Sequence, residues 1–345
     1  MIPIQNIYYM LSYAFQVLNE QGYKNIATEQ FYNTAELMAA ILEKGIAIQL
    51  KRGLGKEYVP QTEALSSLRG KIDIAESIKT QSMLRKQIIC TYDEFSVNSI
   101  MNRIIKSTVE LLLRSNISKQ RKKNLRKLMV YFSEVDFIDL YTINWNVQYN
   151  RNNQTYRMLI SICYLVVKGL LQTQFDGSTK LMDFLDEQRM CRLYEKFILE
   201  YYRREFKNQI TANASQIPWQ LDNDENSMLP VMQSDIMLQR DDRVLIIDAK
   251  YYEHSTQVQF DKHTLHSGNL YQIFTYVKNK EYELREKKHM VSGMLLYAKT
   301  DEEIYPNNVY QMSGNQITVR TLDLNLPFDE IARQLDIIAK SHFNL

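Results

Sequence analysis

The sixteen residues from Asp235 to Lys250, Asp-Ile-Met-Leu-Gln-Arg-Asp-Asp-Arg-Val-Leu-Ile-Ile-Asp-Ala-Lys, constrain this chain more than any other segment. An acid heads one apolar run, Asp-Ala-Lys closes the next, and the polar run Arg240-Asp241-Asp242-Arg243 between them reads as a hairpin turn. Whether the loop has two residues or four, the numbers of facing residues sum to one constant. Gln239 then faces Val244, Leu238 faces Leu245, and Asp235 faces Asp248. Facing side chains share one side of the sheet, with Cβ atoms about 4.5–5.5 Å apart. Lys250, two residues beyond Asp248, returns to that side by strand alternation. The unbroken apolar run Val244–Ile247 is that of a central strand, where a charged triplet is costly unless it is used.

Two carboxylates brought that close repel unless a positive charge lies between them, and a hard divalent cation meets that need. Oxygen-only donors, with no cysteine or histidine beside them, favour Mg²⁺, or Mn²⁺, over zinc. Such an ion polarises a phosphate oxygen and acidifies water, and Lys250 is placed to hold that water or to neutralise developing charge. These are the parts of a phosphodiester hydrolase. The alternative on spacing alone is an ordinary strand with solvated acids and a salt-bridged lysine.

Two helices are expected to flank the hairpin. Met190, Leu193, Tyr194, Phe197, Ile198 and Tyr201 follow the amphipathic period over 187–206, with Glu195 at the margin of the stripe. Leu270, Ile273, Phe274 and Val277 form a second stripe over 268–280, and Gln272 and Tyr276 project side by side from a neighbouring face. His254, His263 and His266 lack a third well-spaced ligand or a cysteine, so no structural zinc site is read there.

The Asp…Asp-x-Lys hairpin resembles the PD-(D/E)xK nuclease core. The fuller string Trp219…Leu229-Pro230-Val231-Met232-Gln233-Ser234-Asp235…Ile247-Asp248-Ala249-Lys250-Tyr251-Tyr252 resembles McrC, the nuclease subunit of McrBC-type modification-dependent (5-methylcytosine) restriction systems. The likeness extends to Ile2–Leu11, to Leu68-Arg69-Gly70-Lys71-Ile72-Asp73, and to Cys90–Glu94 with Asn102-Arg103, and so covers most of the chain. One departure is Ser234, where the superfamily label has proline.

The resemblance implies an α/β (α+β) protein. Residues 151–345 would carry a PD-(D/E)xK core, a mixed sheet flanked by helices, and residues 1–150 an α+β domain that docks into the pore of a partner ring. It implies Asp235, Asp248 and Glu195 as metal ligands and Lys250, Gln272 and Tyr276 as further catalytic residues, the last two matching a Gln-x-x-x-Tyr pair of RecB-like members. The implied partners are an AAA+ GTPase ring of the McrB type, whose hydrolysis the chain stimulates, and double-stranded DNA carrying modified bases. GTP would be bound by that partner. Consistently, the sequence contains no Gly-x-x-x-x-Gly-Lys-Ser/Thr loop. Two rival functions are a non-cleaving activator of such a ring and a free-standing RecB-like nuclease.

At 345 residues the chain is long enough for two cores, and a net charge of +2 does not itself imply nucleic-acid binding. Three scattered cysteines suit a reducing cytoplasm, and no membrane span or targeting segment is expected. In the first half, helices are expected near 5–20, 28–45, 98–114 and 118–132. Ile46–Leu50 alternates like a strand, Leu68–Ile72 reads as a strand crossed by a glycine bend, and the Asn-rich segment 150–154 is the linker. Arg114, Lys119, Arg121, Lys122, Lys123, Arg126 and Lys127 occur with no acid between Leu111 and Ser133, a patch suited to a phosphate backbone, an acidic partner surface or plain solvent. Arg121, Lys122 and Lys123, with Arg69, Lys71 and Asn102, are the candidate partner or DNA contacts.

Overall fold

The structure is a computed structural model. It describes all residues except 1, 16–17, 19–22, 24–25, 27–28, 30, 151–152, 177–186, 223–227, 253–256, 260–261 and 300–304. The chain forms two compact units, one of Met1–Phe31 with Leu185–Leu345, the other of Tyr32–Phe184. The expected division at residue 150 is therefore corrected at both ends. Helix α1 (Ile4–Ala14) belongs with the late residues. Asn6 Nδ2 donates to the carbonyls of Leu324 and Leu326 at 2.7 and 2.8 Å, and Tyr9 stacks on Phe328.

The Tyr32–Phe184 unit begins with α2 (Thr34–Arg52), capped by Asn33, whose side chain accepts from Glu36 N. The strand expected at Ile46–Leu50 is helix: Leu42, Ile46 and Gln49 are buried at helical spacing, and Gly53, at φ +90°, ends it. Strands β1 (Glu57–Leu65), β2 (Lys71–Ile72) and β3 (Ile88–Ser96) make an antiparallel sheet in the order β1-β3-β2, with α3 (Ile74–Lys79) between β2 and β3. The expected glycine bend is real: Gly70 has φ +69°, and a Cβ there would run into Thr91 O and Tyr92.

Helices α4 (Ile100–Arg114) and α5 (Lys119–Met129) follow, capped by Ser99 and Ser118, and α6 (Tyr156–Asp176) closes the unit. The predicted linker marks no boundary, because Tyr156 ties α6 back into the unit. Its hydroxyl donates to Asn102 Oδ1 at 2.8 Å and accepts from Gly55 N at 2.7 Å.

The other unit holds α7 (Glu187–Glu205), then β4 (Thr211–Asn213), β5 (Gln216–Ile217), β6 (Met232–Gln233), β7 (Ile236–Arg240) and β8 (Arg243–Lys250). Next come β9 (Gln257–Gln259), β10 (Lys262–Thr264), α8 (Ser267–Glu283), β11 (Met290–Ala298), β12 (Asn308–Met312), β13 (Asn315–Leu322) and α9 (Phe328–Phe343). Six strands form a mixed sheet in the order β12-β13-β11-β8-β7-β4, parallel at β13/β11 and β11/β8 and antiparallel elsewhere. This is the mixed sheet flanked by helices expected from the sequence.

Strand alternation gives the sheet two apolar faces. Val244, Ile246, Val291, Leu295, Ile317 and Val319 pack with Ile273 and Val277 of α8. Gly293 lets α8 come that close, since a Cβ would meet Ile273 Cγ1 and Val277 Cγ2 at 2.8 Å. Helices α7 and α9 are joined to each other, Tyr202 Oη donating to Leu335 O at 3.0 Å. Among the described residues no helix is long and apolar enough to cross a membrane.

Candidate active site

The hairpin places the site. Strands β7 and β8 pair as Ile236↔Ile247, Leu238↔Leu245, Gln239↔Val244 and Arg240↔Arg243, closed by a two-residue turn in which Asp241 takes φ +52°. That register puts Asp235 one position beyond the last paired residue and opposite Asp248. Asp248 is 1% exposed, at the end of a strand buried on both faces.

The electrostatics follow from burial. Loss of water first, then the charges of Asp248 and Glu195 and contact with Asp248, push the Asp235 carboxyl up to about 8, with Lys250 pulling the other way. Asp235 Oδ2 accepts the N–H of Ala249 at 2.9 Å. Lys250 Nζ lies 2.9 Å from Asp248 Oδ2, an ion pair by distance. Yet neither Asp248 oxygen receives a properly directed hydrogen bond. Lys250 nonetheless neutralises Oδ2 at that distance, and Asp248 Oδ1 is the buried carboxylate oxygen with its acceptor capacity unused. Burial alone would lower the Lys250 pKa; the Asp248 charge and contact, with Asp235, outweigh it and raise the pKa, so the amine stays charged.

Helix α8 supplies the next contacts. Lys250 Nζ donates to Gln272 Oε1 at 3.2 Å, and Gln272 Nε2 donates to Tyr276 Oη at 2.9 Å. Helix α7 supplies Glu195, whose pKa is raised by burial and by Asp248 against the opposing effects of Cys191 and Lys250. All six residues singled out as catalytic in the sequence thus fall in one neighbourhood.

Three further residues carried no sequence signal. Cys191, one helical turn before Glu195, donates its thiol to Glu195 Oε1 at 3.0 Å and lies 3.9 Å from Ala249 O. Burial, then Glu195, push that thiol up to about 12, which keeps it a donor. Asn269, in the first turn of α8, donates to the buried Tyr297 Oη at 2.9 Å and accepts from Tyr252 Oη at 3.3 Å. Tyr297 pairs directly with Lys250 across β11/β8. This chain fixes the rotation of α8 that delivers Gln272.

The donor set fits a small hard cation. It is oxygen-rich, holds a buried carboxylate oxygen (Asp248 Oδ1) with no hydrogen-bond donor, and includes the Asp235 carboxyl, held up to about 8 by burial first and then by its neighbours' charges. Among the described residues no three His, Cys, Asp or Glu side chains converge as a metal cluster, so Glu195, bonded to Cys191, does not join Asp235 and Asp248 as the expected third ligand. A two-carboxylate site suits Mg²⁺, which keeps several waters and takes one or two carboxylates with substrate oxygens. His254 and the His263 side chain lie outside the described residues. His266 is the residue preceding α8, its ring 5.4 Å from that of Tyr252.

The candidate contacts of the Tyr32–Phe184 unit divide. Arg69 and Lys71 are exposed, Arg69 with its guanidinium 3.9 Å from the Tyr92 ring centroid, and Lys122 and Lys123 reach solvent on α5. Asn102 does not serve as a surface contact: it is 0% exposed, donating to Gly55 O and Val97 O and accepting from Tyr156. Arg121 is likewise corrected. It lies on the inner side of α5, held by Glu43 Oε2 at 2.8 Å and Glu36 Oε1 at 3.3 Å.

Comparison with known proteins shows what the chain is similar to. Residues 5–298 match the family model described as McrBC 5-methylcytosine restriction system component. The chain is 28% identical over 340 residues to the Type IV methyl-directed restriction enzyme EcoKMcrBC of Escherichia coli (strain K12), covering 97% of this chain and 96% of that protein. Two solved assemblies are similar at lower identity. One is a half-complex from the tetradecameric assembly of Thermococcus gammatolerans McrB AAA+ hexamers with bound McrC, at 18% identity and TM-score 0.48, covering 97% of this chain and 76% of that one. The other is the Thermococcus gammatolerans McrBC complex, at 22% identity and TM-score 0.41, covering 59% of each chain.

Proposed function

Because the chain belongs to the McrBC 5-methylcytosine restriction system component family, we propose that it is the DNA-cleaving subunit of a modification-dependent restriction complex acting in the cytoplasm. Its unit of Met1–Phe31 with Leu185–Leu345 is read as a PD-(D/E)xK nuclease core. The observation that carries this reading is the convergence of Asp235, Asp248 and Lys250 at the end of one buried hairpin, with Asp248 Oδ1 buried and left without a donor.

In this reading Asp235 and Asp248 hold Mg²⁺ or Mn²⁺, and Glu195, steadied by Cys191, accepts from a water beside them. When bound, the ion supplies Lewis acidity toward a phosphate oxygen and lowers the pKa of water. The residues do the rest. Asp235 gives up its proton as the site fills. Lys250, charged and held by Gln272 and Asp248, neutralises charge developing on the phosphate. Gln272 orients Lys250 and is itself oriented by Tyr276.

Recognition of the modified base and nucleotide hydrolysis are assigned to an McrB-like AAA+ GTPase partner. Family membership supports this, as does the lack of a nucleotide-binding loop in this sequence. Arg69 and Lys71 are accessible for contacts with that partner. The test is reconstitution. The chain with its AAA+ partner, Mg²⁺ and GTP should cut methylated duplex DNA, and the isolated chain with Mg²⁺ alone should be nearly inert. Equal cutting without the partner would instead favour a free-standing nuclease.

A further inference from the structure

Helix α5 carries six basic and two amide side chains in eleven residues and no acid. Arg121 turns inward to Glu36 and Glu43, and Leu125 is buried beneath the helix. At 100° per residue, Lys119, Lys123 and Arg126 fall within a narrow outward arc, with Lys127 and Lys122 on its two flanks. Lys119, Lys123, Arg126 and Lys127 are exposed and Lys122 is half-buried. Among the described residues none of these five side chains makes a hydrogen bond or an ion pair.

Such a face works against its own helix. Lys119/Lys123, Lys122/Arg126 and Lys123/Lys127 are like charges four residues apart, an unfavourable spacing, and Lys119 puts a cation in the first turn where the helix dipole favours an anion. The polar groups that could read a base are engaged elsewhere. Gln120 Nε2 donates to Asn124 Oδ1, and Asn124 Nδ2 donates to Glu43 Oε1, each at 2.9 Å. What remains is a strip of cations about 12 Å long from Lys119 to Lys127 at 1.5 Å per residue. Duplex DNA presents about one charge per 1.7 Å of its axis, so a strip of that length faces more phosphates than it has cations.

We infer that the outer face of α5 is a DNA phosphate-backbone site, binding duplex DNA without regard to sequence. This rests on the reading of the chain as a DNA-cleaving subunit and adds to it where the substrate is held. The site is phosphate-directed because its free groups are ammonium and guanidinium ions with no partnerless amide among them.

The test uses the full chain in EDTA, so that cleavage does not enter, and a fluorescent 30-base-pair duplex titrated at several salt concentrations. Replacing Lys119, Lys123, Arg126 and Lys127 together by Gln should weaken binding and lower the slope of log K against log salt by about 3 to 4, at about 0.9 per phosphate contact. The melting temperature should hold or rise, since the repulsion is relieved. Lys119→Arg, Lys123→Arg and Lys127→Arg together should keep the original slope. The slope is read without cleavage and cutting by the unaltered complex is read separately, which separates this inference from the catalytic reading. An unchanged slope in the Gln variant, or no salt-dependent binding by the unaltered chain, would overturn it. So would unchanged DNA binding with loss of partner NTPase stimulation, which would assign the face to an acidic protein surface.

Discussion

Asp235 stands opposite Asp248 at the mouth of the β7–β8 hairpin, where burial and then the neighbouring charges hold the Asp235 carboxyl up to about 8. The folded pKa lies above the unfolded value, so the folded chain keeps a proton that the unfolded chain has lost between about pH 4 and 8. This contribution to stability is full below pH 4 and disappears as pH rises through 8. Metal-free protein should therefore lose thermal stability over that window. Mg²⁺ should restore more of it at pH 8.5 than at pH 6, and near neutrality its binding should release close to one proton, measured by calorimetry in buffers of different ionisation enthalpy. Zero proton release at pH 7 would contradict the assignment of Asp235.

Gln272 is the acceptor that keeps Lys250 aimed. Gln272→Ala should lower single-turnover cleavage by about tenfold, roughly 1.4 kcal/mol of transition-state stabilisation. Tyr276→Phe should do the same more weakly, because it removes only the acceptor of the Gln272 amide. Substrate affinity should change little in either, a split between rate and binding that rapid-quench kinetics resolves.

Gly293 lies beneath α8, where a Cβ would meet Ile273, Val277 and Ile317 at 2.8 to 2.9 Å. Gly293→Ala should destabilise the protein by about 1–3 kcal/mol through overpacking. It should also lift Gln272 away from Lys250. Denaturant unfolding checks the first effect, and a cleavage defect at temperatures where the variant is fully folded checks the second.

Arg121 binds two largely buried glutamates rather than a partner. Arg121→Ala should cost on the order of 3 kcal/mol, since it strands the charges of Glu36 and Glu43. Simultaneous Glu36→Gln and Glu43→Gln should recover part of that loss. A variant of undiminished stability that failed only in partner binding would reverse the assignment.

The site was legible where geometry depends on parity. A loop of two or four residues gives the same register, so Asp235, Asp248 and Lys250 could be placed on one face without knowing the turn, and the apolar run Val244–Ile247 identified a central strand. Five-residue patterns were ambiguous. Ile46–Leu50 alternates like a strand, yet Leu42, Ile46 and Gln49 bury together on a helix. Strands β1 and β3 went unread because their sheet leaves residues of both parities at least partly in solvent, blurring the period of two. The division at 150 assumed that a unit is continuous in sequence, whereas α1 packs against residues more than three hundred positions later. Cys191 left no trace because a thiol one helical turn from a glutamate makes no pattern of its own, and Asn269 and Tyr297 because their contact spans 28 positions. Asn102 entered through the resemblance and Arg121 through a basic run, neither of which tells an exposed group from a buried one, and both satisfy internal partners.

The most direct measurement is Asp248→Asn in the reconstituted complex, with cleavage of methylated duplex DNA and partner NTPase stimulation read in the same sample. The side chain keeps its shape while losing the charge that Lys250 and a cation would share. The account predicts that cleavage is abolished and stimulation is unchanged. Cleavage at the original rate would contradict it.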